Sequence, residues 1–281
     1  MEIQRLAAFA DGDRGGNPAG VVIGDVLPDV DVMQRVAAEV GYSETAFAAR
    51  SEAGGEARWR VRYFSPEAEV PFCGHATIAL GAALAMRHGS TTFELTLNEF
   101  EISVEGQSEG SRLSAALRSP PTRSAAASDD RVAAALDLFG LDPGDLDPRI
   151  PVAEVHAGAD HLVVMLKSRA TLATMDYDFD RGRALMRDAG WVTVLLGHAE
   201  TPRRFATRNA FAWGGIHEDP ATGASTAALA GYLRDLGWPH GGAIDVHQGD
   251  DMGVPSRLRA EIGSQAGSAI RVSGLVRTME N

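Results

Sequence analysis

One cysteine, Cys73, and one lysine, Lys167, are all that the 281 residues contain of either type. A single thiol excludes an internal disulfide framework and fits a reducing compartment. With one lysine, a Schiff base would have to rest on Lys167, in the strand-like run HLVVMLKS, and a Walker loop has no lysine to use. Neither CxxC nor HxxxH occurs to hold a metal. GDRGGNP is rich in glycine but lacks the spacing of a dinucleotide-binding turn. Long apolar runs are missing too: none could cross a membrane, and MEIQRLAAFADGDRGG does not read as a secretory signal. A cytoplasmic location is expected.

Positive charge is scarce. Lysine and arginine together number 26 against 38 acidic residues, a formal net charge of −12. Nucleic acid is therefore not an expected partner, because phosphate binding needs clustered cations. The acidic balance reads as ordinary solubility. Hydrophobic residues make up 44% and charged ones 23%, as in soluble globular enzymes, and the length suits two domains.

The chain has a repeated grammar. In the first half, strands around IQRLAAFA and the run after GGNPAG precede a helix over 32–40 and a strand over 45–49. RWRVRYFS alternates like a half-buried strand, a helix follows over 76–87, and TTFELTL with FEISVEG reads as a hairpin. SPPTRSAAASDD has no periodicity and reads as a linker. The second half runs helix 131–139, strand HLVVMLK, helix 180–189, strands WVTVLLG and ATRNAFA, and a helix ending near Gly237. RLRAEIG and AIRVSGLVRTM read as a closing hairpin. The domains are therefore 1–118, a linker at 119–130, and 131–281, with the last strand able to pair back with the first domain.

EVPFCGHAT, from Glu69, recurs 149 residues later as EDPATGAST, from Glu218. Glutamate, proline and glycine in register mark a duplication of one α/β unit. Gly74 and Gly223 each stand where a loop becomes a helix. Glycine lets a ligand approach the backbone closely, and the following amides have no intrahelical partner. Such a terminus favours a carboxylate or a developing enolate. Two copies point to a shared anion site in a cleft between the domains.

Several titratable groups could face it. Glu44, in GYSETAF, has apolar neighbours Tyr42 and Phe47 and suits proton exchange, unless it is a surface acid at a strand edge. His75 follows Gly74 and can donate or accept, or serve the structure alone. Asp219 either caps the following helix or faces the site. Cys73 reads as a small buried residue, and with His75 it makes only two donors, so no metal is expected.

GNPAGVV at 16–22, SETAF at 43–47, RYFSPEAEVPFCGHAT at 62–77, AGADHLVV at 157–164, GGIHEDPATGAS at 214–225 and QGDDMGVPS at 248–256 occur in one order. Together they resemble the PhzF-like family of phenazine-biosynthesis-type isomerases, which has the diaminopimelate epimerase fold, over nearly the whole chain. The resemblance implies an α/β (α+β) protein of two pseudo-repeated domains, each a curved sheet wrapped around a central helix. It implies a cofactor-independent isomerase that moves a proton between carbons of a small carboxylate or amino acid-derived substrate. By motif match the acid/base glutamate is Glu44, the site histidine His75 and the site aspartate Asp219. Substrate-binding positions fall on Asn17, Ser43, Gly74, Gly223, Ala224 and Ser225. Two departures, Ala224 in place of a site serine and Val254 in place of an arginine, point to a substrate other than trans-2,3-dihydro-3-hydroxyanthranilate.

Two rival readings differ in kind. A racemase using paired thiols is excluded by the single cysteine, since neither Pro220 nor Thr222 can supply the second. A non-catalytic small-molecule-binding protein with the same cleft is the alternative. A homodimer is compatible with either reading.

Overall fold

In a computed structural model, residues 1–51 and 57–280 are described. The chain divides into two compact units, one of Met1–Arg118 with the residues from Ser273 onward, the other of Ser119–Val272. Each has a sheet with a long helix packed on one face; on the other lies one shorter helix in the first unit and several in the second.

In the first unit, Gln4–Ala10 pairs antiparallel with Asn17–Gly24, which runs parallel to Thr45–Arg50. A parallel neighbour needs a crossover, and the helix Val30–Val40 supplies it, ending at Gly41 with φ +70°. Its one apolar stripe, Met33, Val36 and Ala37, packs on Val22, Phe47 and Phe64. Arg58–Phe64 continues the sheet antiparallel to Thr45–Arg50 and parallel to Thr91–Thr96. The hairpins Thr91–Thr96, Glu101–Glu109 and Arg112–Arg118 complete the set.

The second crossover of this unit is the helix Gly74–His88. Its sequence is apolar on all sides, which demands burial all round, and every residue from His75 to Ala85 is buried. Strands Gln4–Ala10, Asn17–Gly24, Glu101–Glu109 and Arg112–Arg118 surround it. The small residues allow unusually close approach. A Cβ on Gly106 would stand 2.1 Å from the Gly81 carbonyl oxygen, so both glycines are fixed by helix–sheet contact.

The second unit repeats the order. Ala153–His156 is antiparallel to Asp160–Met165, and that strand is parallel to Thr193–Thr201 across the helices Arg169–Ala173 and Phe179–Ala189. Arg204–Ala210 follows antiparallel, then Ala243–Gln248 parallel across the helix Gly223–Asp235, then Ser256–Glu261 antiparallel. The helix Gly223–Asp235 is buried from Ser225 to Leu233. An outer core of Leu138, Phe139, Leu172, Tyr177, Met186 and Trp191 fills the opposite face of the sheet.

Two segments were harder to read from local pattern. Within 119–130, Arg123–Ala126 forms a strand against Ala153–His156, and the helix Asp129–Phe139 begins there with Ser128 as its side-chain cap. The closing run Arg271–Thr278, expected in a hairpin and able to pair back with the first domain, pairs antiparallel with Gln4–Ala10. Apolar alternation marks Arg271–Thr278 as a strand without naming its partner, and Arg123–Ala126 carries no alternation at all.

Candidate active site

The duplicated loops are built alike. In the first unit Phe64 pairs with Glu69, and in the second Ala210 pairs with Glu218. Arg62, two residues before Phe64, binds Glu69 through both oxygens, at 2.7 and 2.5 Å. Arg208, two before Ala210, binds Glu218 in the same way, at 3.0 and 2.5 Å. The repeated glutamate is thus tied to the adjacent strand, and the bonds from Arg62 hold the Glu69 carboxyl below the usual range.

From that anchor each loop runs into its buried helix. Neither helix carries a side-chain cap at Cys73 or Thr222, whereas Ser128, Ser168 and Asp178 cap other helices. The first intrahelical bond of one is Thr77 N–H to Cys73 carbonyl, and of the other Thr226 N–H to Thr222 carbonyl. The amides of Gly74, His75 and Ala76, and of Gly223, Ala224 and Ser225, precede those bonds and have no intrahelical acceptor. A Cβ at Gly74 would meet nothing within 4 Å, so open space lies in front of that backbone. Buried Tyr63 donates to Thr77 Oγ1 at 2.7 Å, and Thr77 Oγ1 donates to the Cys73 carbonyl at 2.7 Å. This relay pins the helix start, and burial raises the Tyr63 pKa so the phenol stays neutral.

Four expected residues of the first unit, Ser43, Glu44, Gly74 and His75, gather here. Glu44 stands on the turn into Thr45–Arg50, with its carbonyl accepting from Gly20 N–H at 3.2 Å. Its side chain is 18% exposed, and Oε2 lies 3.4 Å from His75 Nε2. Ser43 Oγ is 3.3 Å from the same nitrogen. Gly74 begins the helix that carries His75, which is itself buried. Cys73, expected only to fill space, has its Sγ 3.4 Å from Glu44 Oε2 and 3.3 Å from His75 Nδ1. Asn17 is buried opposite Ala8, one residue before Phe9, whose φ of +62° is rare for a side chain of that size.

The remaining expected residues belong to the second unit. Asp219 is buried, and its Oδ2 accepts from Thr222 Oγ1 at 2.5 Å. Gln248, fully buried, accepts from Thr222 N–H at 3.1 Å and donates to the Asp219 carbonyl at 2.7 Å. Sequence reading passed over Gln248 although it opens QGDDMGVPS, because its partners lie 26 and 29 residues away. Gly223 and Ala224 begin the helix. The Ser225 hydroxyl is buried and donates to the Thr222 carbonyl at 3.2 Å, leaving its amide as the group it can offer a ligand.

Chemistry is not duplicated along with scaffold. Thr45 pairs with Phe64, and Val194 pairs with Ala210. By that register Thr193 takes the place of Glu44. Thr193 Oγ1 bonds His161 Nδ1 at 2.8 Å and Asn209 Oδ1 at 3.0 Å, all three residues being buried. Burial pushes the His161 pKa down to about 3, so that ring is neutral. One unit therefore holds a carboxylate at this position and the other holds an uncharged cluster.

A sheet-and-helix unit built twice, each around a long buried helix, defines an α/β protein of two like halves. Residues 6–280 match the family model described as phenazine biosynthesis-like protein, and the chain belongs to that PhzF-type family of isomerases. It is 31% identical over 279 residues to the trans-2,3-dihydro-3-hydroxyanthranilate isomerase of Pseudomonas aeruginosa, covering 96% of this chain and 94% of that one. It is 30% identical over 265 residues to an uncharacterized isomerase of Deinococcus radiodurans, covering 92% and 85%. The fold is shared with a Bacillus anthracis phenazine biosynthesis protein of the PhzF family, with a TM-score of 0.83 at 22% identity over 100% of this chain and 98% of that one. No helix among the described residues is long and apolar enough to cross a membrane.

Proposed function

We propose that the chain shifts a proton between carbons of a small carboxylate, with Glu44 as the acid and base. The observation that carries the reading is the placement of Glu44 Oε2 beside His75, at the start of a helix whose first amides are uncapped. Glu44 takes a proton from a C–H next to an unsaturated system. The anion that forms is spread over that system and is stabilised by helix-start amides, which favour negative charge. Protonated Glu44 then returns the proton to another carbon on the same face. His75 steadies the carboxylate and can share its proton. In the second unit, Asp219 is held by Thr222 and Gln248 at the matching helix start. No step requires a cofactor.

One carboxylate and no acidic counterpart at Thr193 suit a shift on one face better than inversion between two bases. The relative named trans-2,3-dihydro-3-hydroxyanthranilate isomerase makes that compound the first substrate to test. Ala224 and Val254, which depart from the family pattern, favour a related carboxylate as the natural one. Incubation with that compound in D₂O should place deuterium on carbon. Glu44→Gln should lower the rate by roughly 10²–10⁴-fold, the range of general acid–base catalysis, without changing the melting temperature. Undiminished exchange in the variant would remove Glu44 from the mechanism.

A further inference from the structure

The polar contacts around His75 form one series, and the carboxylate at its end fixes the direction. Ser43 Oγ lies 3.3 Å from His75 Nε2, and Cys73 Sγ lies 3.3 Å from Nδ1 of the same ring. Cys73 Sγ also lies 3.4 Å from Glu44 Oε2. The sulfur is farther from Nε2, at 3.9 Å, so the thiol faces Nδ1. An ionised carboxylate can only accept hydrogen bonds, whereas a thiol or a hydroxyl gives one and receives others. A neutral imidazole gives from one nitrogen and receives at the other.

Those capacities settle each link. The Cys73 S–H donates to Glu44 Oε2, because the carboxylate has no proton to give. The sulfur then accepts from His75, so the ring proton sits on Nδ1. Nε2 is left bare and accepts from the Ser43 hydroxyl. Every donor meets an acceptor. In the opposite direction the S–H turns to Nδ1 and the ring proton moves to Nε2. Sulfur and carboxylate oxygen would then face each other at 3.4 Å with no proton between them. Cys73 and His75 are buried, which makes such an unpaired contact more unfavourable. The twin loop uses the same position in the same way: Thr222, aligned with Cys73, donates to the carboxylate of Asp219.

We propose that Cys73 is a positioning residue of the proton shift. Its thiol holds Glu44 Oε2 by direct donation and holds His75 as the tautomer protonated on Nδ1. This rests on the reading of Glu44 as the base, which is ionised when it takes a proton. The tautomer matters because bare Nε2 stands 3.4 Å from Oε2. Once Glu44 carries the substrate's proton, Nε2 can exchange the Ser43 hydroxyl for that of Glu44. The acid then has an acceptor that keeps its proton within reach for the return. A ring protonated on Nε2 would offer none.

Imidazole ¹⁵N NMR reads the tautomer without turnover. In the full chain labelled with ¹⁵N-histidine, the signals lost in His75→Gln identify the ring. Above the ordinary titration range of histidine they should show Nδ1 protonated and Nε2 bare. A proton on Nε2 would overturn the proposal, and this wild-type spectrum decides even where a variant fails to fold. Cys73→Ala should move the ring proton to Nε2, drawn there by Glu44 Oε2. Cys73→Ser, whose hydroxyl also gives and receives, should keep it on Nδ1. In deuterium exchange, Cys73→Ala should lower kcat by about 10²-fold, the scale of a misplacement of about 1 Å, and change KM less. Cys73→Ser should recover most of that loss. Full kcat in folded Cys73→Ala, or a wild-type tautomer there, would overturn the role of the thiol. Undiminished exchange in Glu44→Gln, with wild-type His75 protonated on Nδ1, would instead sink the reading of Glu44 as the base and leave the hydrogen-bond series standing.

Discussion

Arg62 grips Glu69 through two near-parallel hydrogen bonds, and the pair is the keystone of the first loop. The same fork joins Arg208 to Glu218 in the second unit. A planar guanidinium meeting a carboxylate fixes orientation as well as distance. The acid that recurs at the head of each loop therefore belongs to the scaffold and sets where the uncapped helix start points.

Glu69→Gln should lower stability by about 1–3 kcal/mol, the scale of hydrogen bonds to a charged partner. The sign with pH follows from the lowered carboxyl of Glu69, whose first cause is the bond from Arg62. That stabilisation is present above the unfolded carboxyl range and is lost as pH falls through the folded value. Urea unfolding at several pH values should find the deficit of the variant large at neutral pH and shrinking in acid. A constant deficit would mean that packing, not charge, is what Glu69 supplies.

Gly74→Ala separates stability from function. Apart from its chain neighbours and its own helix backbone, nothing lies within 4 Å of the added methyl, and alanine favours helix. The variant should be as stable as the wild type, or more so by up to about 1 kcal/mol. Deuterium exchange should fall by on the order of tenfold or more, because the methyl stands where a ligand must meet the amides. Full activity would show that no ligand approaches there.

Thr222 is proposed to position Asp219, donating to its Oδ2 while accepting from Gln248. Thr222→Val keeps the shape and removes the hydroxyl, so kcat should drop while KM changes less. Thr222→Ser should restore most of the loss. Failure of serine to rescue would assign the defect to packing.

His161 gives the second unit an acid sensitivity of its own. Burial lowers its folded pKa to about 3, below the ordinary value of 6.5. Between those values the unfolded chain binds a proton that the folded one does not, so stability falls as pH falls. His161→Asn should reduce the proton uptake on unfolding by about one between pH 6 and pH 4. Equal uptake in the two proteins would mean that water reaches the ring.

The helices at 32–40, 76–87, 131–139 and 180–189 and the paired loops were legible because each is a local matter. Apolar spacing and terminal glycines act within a few residues, and the structure extends those helices by two residues or fewer at either end. The apolar run IALGAALA also announced a helix surrounded by sheet. Local pattern did not reveal what Cys73 and Gln248 touch. Glu44 lies 29 residues from Cys73, and Gln248 lies 26 from Thr222, distances in sequence over which no periodicity carries information. The last strand was expected to be able to pair back with the first domain, but that Gln4–Ala10 is the partner of Arg271–Thr278 was left to the tertiary fold, since alternation specifies a strand's faces and not its neighbour. Sequence determined that one unit was built twice and that a single thiol and a single Glu44 were available to it. Only folding decided that thiol, carboxylate and imidazole would share one corner, because donors converge through strand order and helix packing, not through their order along the chain.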